Sequence, residues 1–241
     1  MPRVEWNEKN SKYVYCFFPF VGLISGLIMF LWLFVSYYLG FGQILRAAVF
    51  MLIPVLVSGG LHMDGFCDVS DAFASHQEPK KMLEIMKDTH AGAFAIIRCV
   101  LYFIITFALW CEVILTWKSV VIAGLSLIIS RSLSGFAAVT RKNARGSGML
   151  AAFSEPADKK KVSLILIIWM SLSAIAAILL SPIVGGLTVI ACGLTFLYYT
   201  YMTHRKFGGI TGDLAGWFVQ VCETIALLAI VLGQKIAIIL M

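Results

Sequence analysis

Charge is what this chain has least of. Of its 241 residues only 13% are Asp, Glu, Lys or Arg while 60% are hydrophobic, and the mean hydropathy of +0.91 excludes an ordinary soluble domain. An integral membrane protein is the class that remains. No stretch rich in proline, serine or charge divides the sequence, so residues 1–241 are expected to form a single polytopic membrane domain. The six cysteines include no Cys-x-x-Cys pair, and five of them lie in or beside apolar runs; they read as small buried hydrophobes. No nucleic-acid motif accompanies the net charge of +6, so nucleic acid is not an expected partner and the lipid bilayer is. Nor is there an internal repeat of the inverted kind that marks many transporters.

What is present is a series of apolar runs. A bilayer core needs about 20 apolar residues per helix. The uncharged run from Tyr13 to Leu45 holds one pass and the start of a second, and it is too long for a signal peptide. Gly40 and Gly42 mark the turn. The second pass covers about 43–61 and contains Pro54, which is expected to kink it. Two more are predicted over about 93–110 and 119–139. The 42 uncharged residues 162–203 make two, broken near Ser181-Pro182, because one helix of that length would be about twice the core thickness. A last pass runs over about 214–232. The fold class is therefore all-α with about seven transmembrane helices, or six if the last helix is re-entrant. Between passes, Met82, Leu83, Ile85 and Met86 set against Lys80, Lys81, Glu84 and Lys87 predict a short interfacial amphipathic helix, with Pro79 in its first turn.

Orientation follows from the basic residues. With a cytoplasmic N-terminus, the tail carrying Arg3, Lys9 and Lys12 shares one side with the loops at about 62–92, 140–161 and 204–213. Arg98 and Arg131 are assigned to their nearer ends on that side, which then holds 16 of the 19 basic residues. The expected location is a prokaryotic cytoplasmic (inner) membrane, with the active face toward the cytoplasm.

The densest chemistry lies in residues 59–73. Asp64, Asp68 and Asp71 stand at i, i+4 and i+7, one face of a helix. Carboxylates so placed repel, and a cation between them removes the repulsion. Oxygen ligands without cysteine or paired histidine favour Mg²⁺ or Mn²⁺ over zinc. Magnesium is commonly completed by substrate phosphates, so a phosphate ester is the implied substrate. The competing reading is a solvated loop whose acids face water. Gly65 allows close approach of backbone to a ligand, and His62 is placed to orient a phosphate, or is simply tolerated at the interface.

Other loops supply the opposite charge. Arg145, whose planar fork suits phosphate, and the adjoining Gly146 lie in a basic loop, where the alternative is topology signal or anionic-lipid contact. Lys87 and Asp88 follow the amphipathic segment. Lys206 and Thr211 flank the turn before Asp213, which reads either as a fourth carboxylate at the metal or as a helix N-cap ahead of Leu214. Arg131 and Glu223 fall inside predicted spans, where ionisable groups are costly and mark a functional site or each other's partner.

The segments Gly-Gly-Leu-His-Met-Asp-Gly-Phe-Cys-Asp-Val-Ser-Asp, Ile-Met-Lys-Asp-Thr-His-Ala-Gly-Ala-Phe and Gly-Gly-Ile-Thr-Gly-Asp, in this order, resemble the cobalamin synthase family, adenosylcobinamide-GDP ribazoletransferase. The resemblance runs through nearly the whole chain. The Arg131 segment and Ala144-Arg145-Gly146-Ser147-Gly148 look like weaker central motifs of that family. The resemblance implies transfer of adenosylcobinamide phosphate from adenosylcobinamide-GDP to α-ribazole or its 5′-phosphate, with release of GMP and a requirement for Mg²⁺. On this reading Asp64 and Asp68 bind metal, and Asp71 completes the shell or takes the hydroxyl proton. Lys87 and Arg145 hold phosphate, and Asp88 and Asp213 orient these or bind a second metal. His62, Gly65, Arg131, Gly146, Lys206 and Thr211 join Lys87 and Arg145 as substrate-binding residues. A homo-oligomer, or association with other corrinoid-pathway enzymes, is left open. Two positions depart from the family pattern: Ala72 where glycine is common, and Gln220 where an acid is common.

Two other functions compete. A CDP-alcohol phosphotransferase also places aspartates at helix ends, but Cys67-Asp68 follows Asp64 too soon for its signature. A small transporter accounts for Arg131 and Glu223, but its acids belong at the midplane and not clustered at one surface.

Overall fold

The structure, a computed structural model, describes residues 12–88 and 90–240. Arg3 and Lys9 of the basic tail, and Thr89 of the second motif, lie outside the described residues. The described chain is helical, with no strand among its elements. After a 3₁₀ turn over Val14–Phe17 come α1 (Phe18–Tyr38), α2 (Gln43–Val57), α3 (Leu61–Ala74), α4 (Pro79–Ile85), α5 (Ala93–Glu112), α6 (Trp117–Thr140), α7 (Met149–Ser154), α8 (Lys159–Leu180), α9 (Pro182–Phe207) and α10 (Gly212–Ile239).

Six helices (α1 with its 3₁₀ turn, α5, α6, α8, α9 and α10) are long and apolar enough to cross a bilayer. This is a multi-pass membrane protein. α2 is shorter, and with α3 it makes a pair bent by 91°. The re-entrant alternative expected of the last helix is corrected here: α10 has 28 residues, and the bent segment is the second. The bend does not lie at Pro54. It comes after Val57, where Gly59 (φ +61°) and Gly60 (φ +79°) take up the left-handed backbone that side chains resist. α3, which carries three aspartates and His62, thus lies across the end of the bundle.

α6 and α10 form the centre. Burial reaches 83% of the most apolar window of α6 and 61% of that of α10, against 22% to 33% for the other four long helices. Those four leave residues such as Leu31, Ile104, Leu172 and Leu197 on the outside, an arrangement suited to hydrocarbon. Packing among the described residues divides into three apolar clusters. One, around Phe50, Trp110 and Ile230, lies away from α3; a second, around Val69, Leu133, Tyr199 and Phe218, takes in the buried side of α3; a third, smaller one gathers Cys16, Val139, Val162 and Leu166. The amphipathic helix appears as α4, with Pro79 in its first turn and Met82 buried. The polar 140–161 loop contains one feature the pattern did not predict, the short α7.

In the bilayer interior Arg131 of α6 meets Glu223 of α10, the two side chains only 1% and 8% exposed. Leu127 carbonyl accepts a further bond from the guanidinium at 3.2 Å, and Ser130 Oγ donates to the Glu223 carboxylate at 3.3 Å. An isolated charge here would be prohibitive, so each residue makes the other tolerable. Arg131, one of the residues expected to bind substrate, has its guanidinium turned onto Glu223, the pairing that the sequence also allowed. Gln220, one turn before Glu223, accepts a 2.6 Å bond from the Tyr102 hydroxyl.

Candidate active site

The acidic end is built by two close helix contacts. A β-carbon on Gly65 would stand 2.7 Å from the Asp213 carbonyl oxygen, and one on Gly216 would stand 3.1 Å from the His62 carbonyl oxygen. Only glycine lets α3 lie on the first turns of α10 at this spacing. Asp213 is thereby brought beside Asp64 and Asp68. Asp64 is exposed and Asp68 half-buried. Burial, then the charges of Asp64 and Asp213, push the Asp68 carboxyl up to about 7, against a smaller opposing effect of Arg145. Three negative groups thus share one small region without enough positive charge.

The cation that faces them, Arg145, is positioned by its own loop. Ile210 N–H donates to Lys142 carbonyl and Ala144 N–H to Ile210 carbonyl, both at 2.9 Å, pinning residues 142–144 to the turn before α10. Asn143 Oδ1 accepts from Arg145 N–H at 2.9 Å and from Gly146 N–H at 3.1 Å, and Gly146 adopts a φ of +63°. This turn sends Arg145 inward, where its Nη2 donates to Leu83 carbonyl at 3.3 Å. Its Nη1 stands 2.7 Å from Asp213 Oδ2. The contact is Coulombic and poorly aligned: Arg145 Nε and Asp213 Oδ2 are both buried with no hydrogen bond.

Asp71 is set apart from its two neighbours. Its carboxylate accepts from Gly92 N–H at 2.6 Å and Ala95 N–H at 2.8 Å, capping the start of α5 from another helix. Asp88 turns to His90, accepting from its backbone N–H at 3.0 Å with the ring Nδ1 at 2.8 Å. These bonds hold the exposed carboxyl below its usual range. Lys87 is exposed, and Lys206 lies 4.8 Å from the centre of the Phe73 ring. The N-cap of α10 is Thr211, whose hydroxyl accepts from Leu214 N–H at 3.1 Å. The alternative that gave Asp213 the capping role is thereby replaced. The structure thus gathers Asp64, Asp68, Asp213 and Arg145, adds Gly65 and Gly146 as shape, and turns Asp71, Asp88 and Arg131 to other partners.

Among the described residues no three His, Cys, Asp or Glu side chains are gathered tightly enough to hold a metal ion alone. The donors are nonetheless hard oxygens, one of them, Asp213 Oδ2, buried without a hydrogen bond. Such an open set fits a divalent ion whose shell is completed by phosphate oxygens and water.

Beside the carboxylates opens a cavity of about 360 Å³. Among the described residues Asp64 and Asp213 are its only charged lining groups; the walls are largely apolar, with Tyr15, Phe18, Ala138, Leu150 and Phe153 among them. His62 also lines it, packed edge-on against Phe18 with ring centres 5.6 Å apart. Burial lowers its pKa to about 3, so the imidazole is neutral. Sequence reading missed the aromatic wall, because Tyr15 and Phe18 look like ordinary residues of a spanning run. It also gave no role to Asn143, although Asn two and three residues before Arg145 and Gly146 is an Asx-turn signal.

Comparison with known proteins gives one consistent result. A sequence model of the family described as cobalamin-5-phosphate synthase matches residues 1–231. An adenosylcobinamide-GDP ribazoletransferase of Lachnoclostridium phytofermentans is 42% identical over 99% of this chain and 90% of its own length. Proteins of the same name from Clostridium perfringens (31% identity, 92% of this chain, 88% of theirs) and from a Geobacillus species (32%, 92% and 86%) are also similar. No solved structure matches.

Proposed function

The chain belongs to the cobalamin-5-phosphate synthase family, and from that premise we propose that it joins adenosylcobinamide-GDP to α-ribazole or its 5′-phosphate, releasing GMP, in the last steps of cobalamin biosynthesis. The observation that carries the mechanism is the crowding of Asp64, Asp68 and Asp213 against a single, misaligned Arg145. This arrangement is short of positive charge and has a buried carboxylate oxygen and a buried guanidinium N–H without hydrogen bonds.

Phosphoryl transfer asks the protein mainly for positioning and charge stabilisation. A ribose hydroxyl oxygen of the acceptor forms a bond to the cobinamide-side phosphorus, the bond from that phosphorus to GMP breaks, and the hydroxyl proton passes to a carboxylate of the cluster. Mg²⁺ or Mn²⁺, held by Asp64 and Asp68 with Asp213, would neutralise charge on the transferred group and on departing GMP. Arg145 exchanges its poorly aligned contact with Asp213 for a bidentate grip on phosphate. Asp71 acts as a positioning residue, fixing α3 to the start of α5. Lys87 and Lys206, on exposed segments at this end, draw the anionic donor toward the site. The excess of basic residues in these loops supports a cytoplasmic active face on an inner membrane.

The test is GMP release by purified protein given adenosylcobinamide-GDP and α-ribazole 5′-phosphate, with Mg²⁺ or EDTA, for wild type and Asp68→Ala. The expected result is release that needs both acceptor and Mg²⁺ and falls at least 100-fold in the variant. Folded wild type that releases no GMP would overturn the reading.

A further inference from the structure

The cavity beside the carboxylates is not needed to explain phosphate binding, and its chemistry selects an occupant. At about 360 Å³ it lies at the small end of the roughly 300–1,000 Å³ typical of ligand pockets. That space takes a fused two-ring heterocycle and excludes a corrin macrocycle. Among the described residues its charge is carried by Asp64 and Asp213, where the reacting phosphate and ribose would sit. The rest of the lining includes Phe18, Ala138 and Leu150, with Ser134 one turn before Ala138 on α6.

Both substrates carry an aromatic base, and the wall discriminates between them. Guanine presents polar groups along two edges, and burying these without partners is unfavourable. The base of a ribazole, a benzimidazole once joined to ribose, keeps one ring nitrogen acceptor and otherwise apolar edges. A wall that is mostly aromatic and aliphatic, with Ser134, Tyr15 and His62 as its few uncharged polar groups, suits that second pattern. A lipid chain would match the wall equally well but would bring hydrocarbon against two carboxylates.

We propose that this cavity is the acceptor-base site: it holds the benzimidazole of the ribazole between Phe18 and Ala138 while the attached ribose reaches Asp64 and Asp213. The assignment rests on the transfer reading above. It makes the cavity the determinant of which base the enzyme accepts.

The test uses the full chain in detergent, with Ala138→Leu to fill the cavity and Phe18→Ala to enlarge it. Calorimetric binding of α-ribazole 5′-phosphate is measured alongside the KM of each substrate for GMP release. Ala138→Leu is expected to weaken ribazole phosphate binding and raise its KM at least tenfold, with the KM of adenosylcobinamide-GDP moving less than twofold. It should shift preference toward the smaller imidazole riboside 5′-phosphate, and Phe18→Ala toward a larger naphthimidazole riboside 5′-phosphate. A rise in the donor KM alone would assign the cavity to the donor and overturn the proposal. So would unchanged constants together with loss of co-purifying lipid from Ala138→Leu, or wild type that does not bind ribazole phosphate. Binding that Ala138→Leu weakens, in a wild type that releases no GMP, would keep the base site and discard the reaction.

Discussion

Two arginine–carboxylate pairs join the same pair of chain regions, the α6 side and α10, in opposite surroundings. Arg131 and Glu223 meet inside the bundle, 1% and 8% exposed, with Ser130 and the Leu127 carbonyl adding bonds. Arg145 and Asp213 meet at the end of the bundle, 16% and 23% exposed, close but misaligned, among two further carboxylates. The same chemistry serves two purposes. A sealed pair with extra hydrogen bonds lets charge exist in a bilayer and fixes how two helices sit. A half-open pair whose carboxylate oxygen, Asp213 Oδ2, is left without a hydrogen bond is ready to exchange its partner for a ligand, whereas an unbonded guanidinium Nε is common to both arginines.

The largest expected effect comes from breaking the sealed pair on one side. Arg131→Met leaves Glu223 buried and unpaired, and should lower stability by about 3–5 kcal/mol, seen as a fall in the detergent unfolding midpoint. Replacing both residues, Arg131→Met with Glu223→Leu, should recover most of that loss. Breaking the open pair should do the reverse. Arg145→Gln should leave the unfolding midpoint near wild type and cut GMP release by about 10²–10³-fold, the range for losing a donor that stabilises transition-state charge.

Smaller effects sharpen the contrast at the acidic end. Gly65→Ala drives a methyl group into the Asp213 backbone, and should cost about 1–3 kcal/mol of overpacking with a larger loss of turnover than of stability, because it displaces α3 from α10. Smallest is the pH effect. The Asp68 carboxyl has a folded pKa of about 7, above the roughly 3.9 of an unfolded chain. Its contribution to stability is therefore fully present below about pH 4 and is lost as pH rises through 7. A cation that needs the ionised carboxylate opposes that loss. Mg²⁺ should raise the unfolding midpoint more at pH 8 than at pH 6; an equal rise at both would remove Asp68 from the cation site.

The difference between the two pairs was only partly legible in the sequence. Hydropathy located the spans because each must satisfy its backbone inside hydrocarbon, which leaves long apolar runs. The i, i+4, i+7 spacing put Asp64, Asp68 and Asp71 on one helix. Spacing along one helix is silent about what the neighbouring helix offers. Asp71 meets the amides at the start of α5, and Asp213 arrives beside Asp68 only because Gly65 and Gly216 allow α3 and α10 to touch. Arg131 and Glu223, 92 residues apart, could be read as a functional site or as each other's partner; only packing distinguishes the two. The aromatic wall of the cavity was invisible because Phe18 facing a ligand and Phe18 facing lipid have the same pattern.

The most direct test of this division is the turnover of the double variant Arg131→Met/Glu223→Leu beside Arg145→Gln, in one detergent preparation and at saturating substrates and Mg²⁺. The account predicts that the double variant keeps GMP release within about fivefold of wild type, while Arg145→Gln falls by about 10²–10³-fold. A folded double variant that loses as much activity as Arg145→Gln would contradict it, and would return Arg131 to the chemistry of the site.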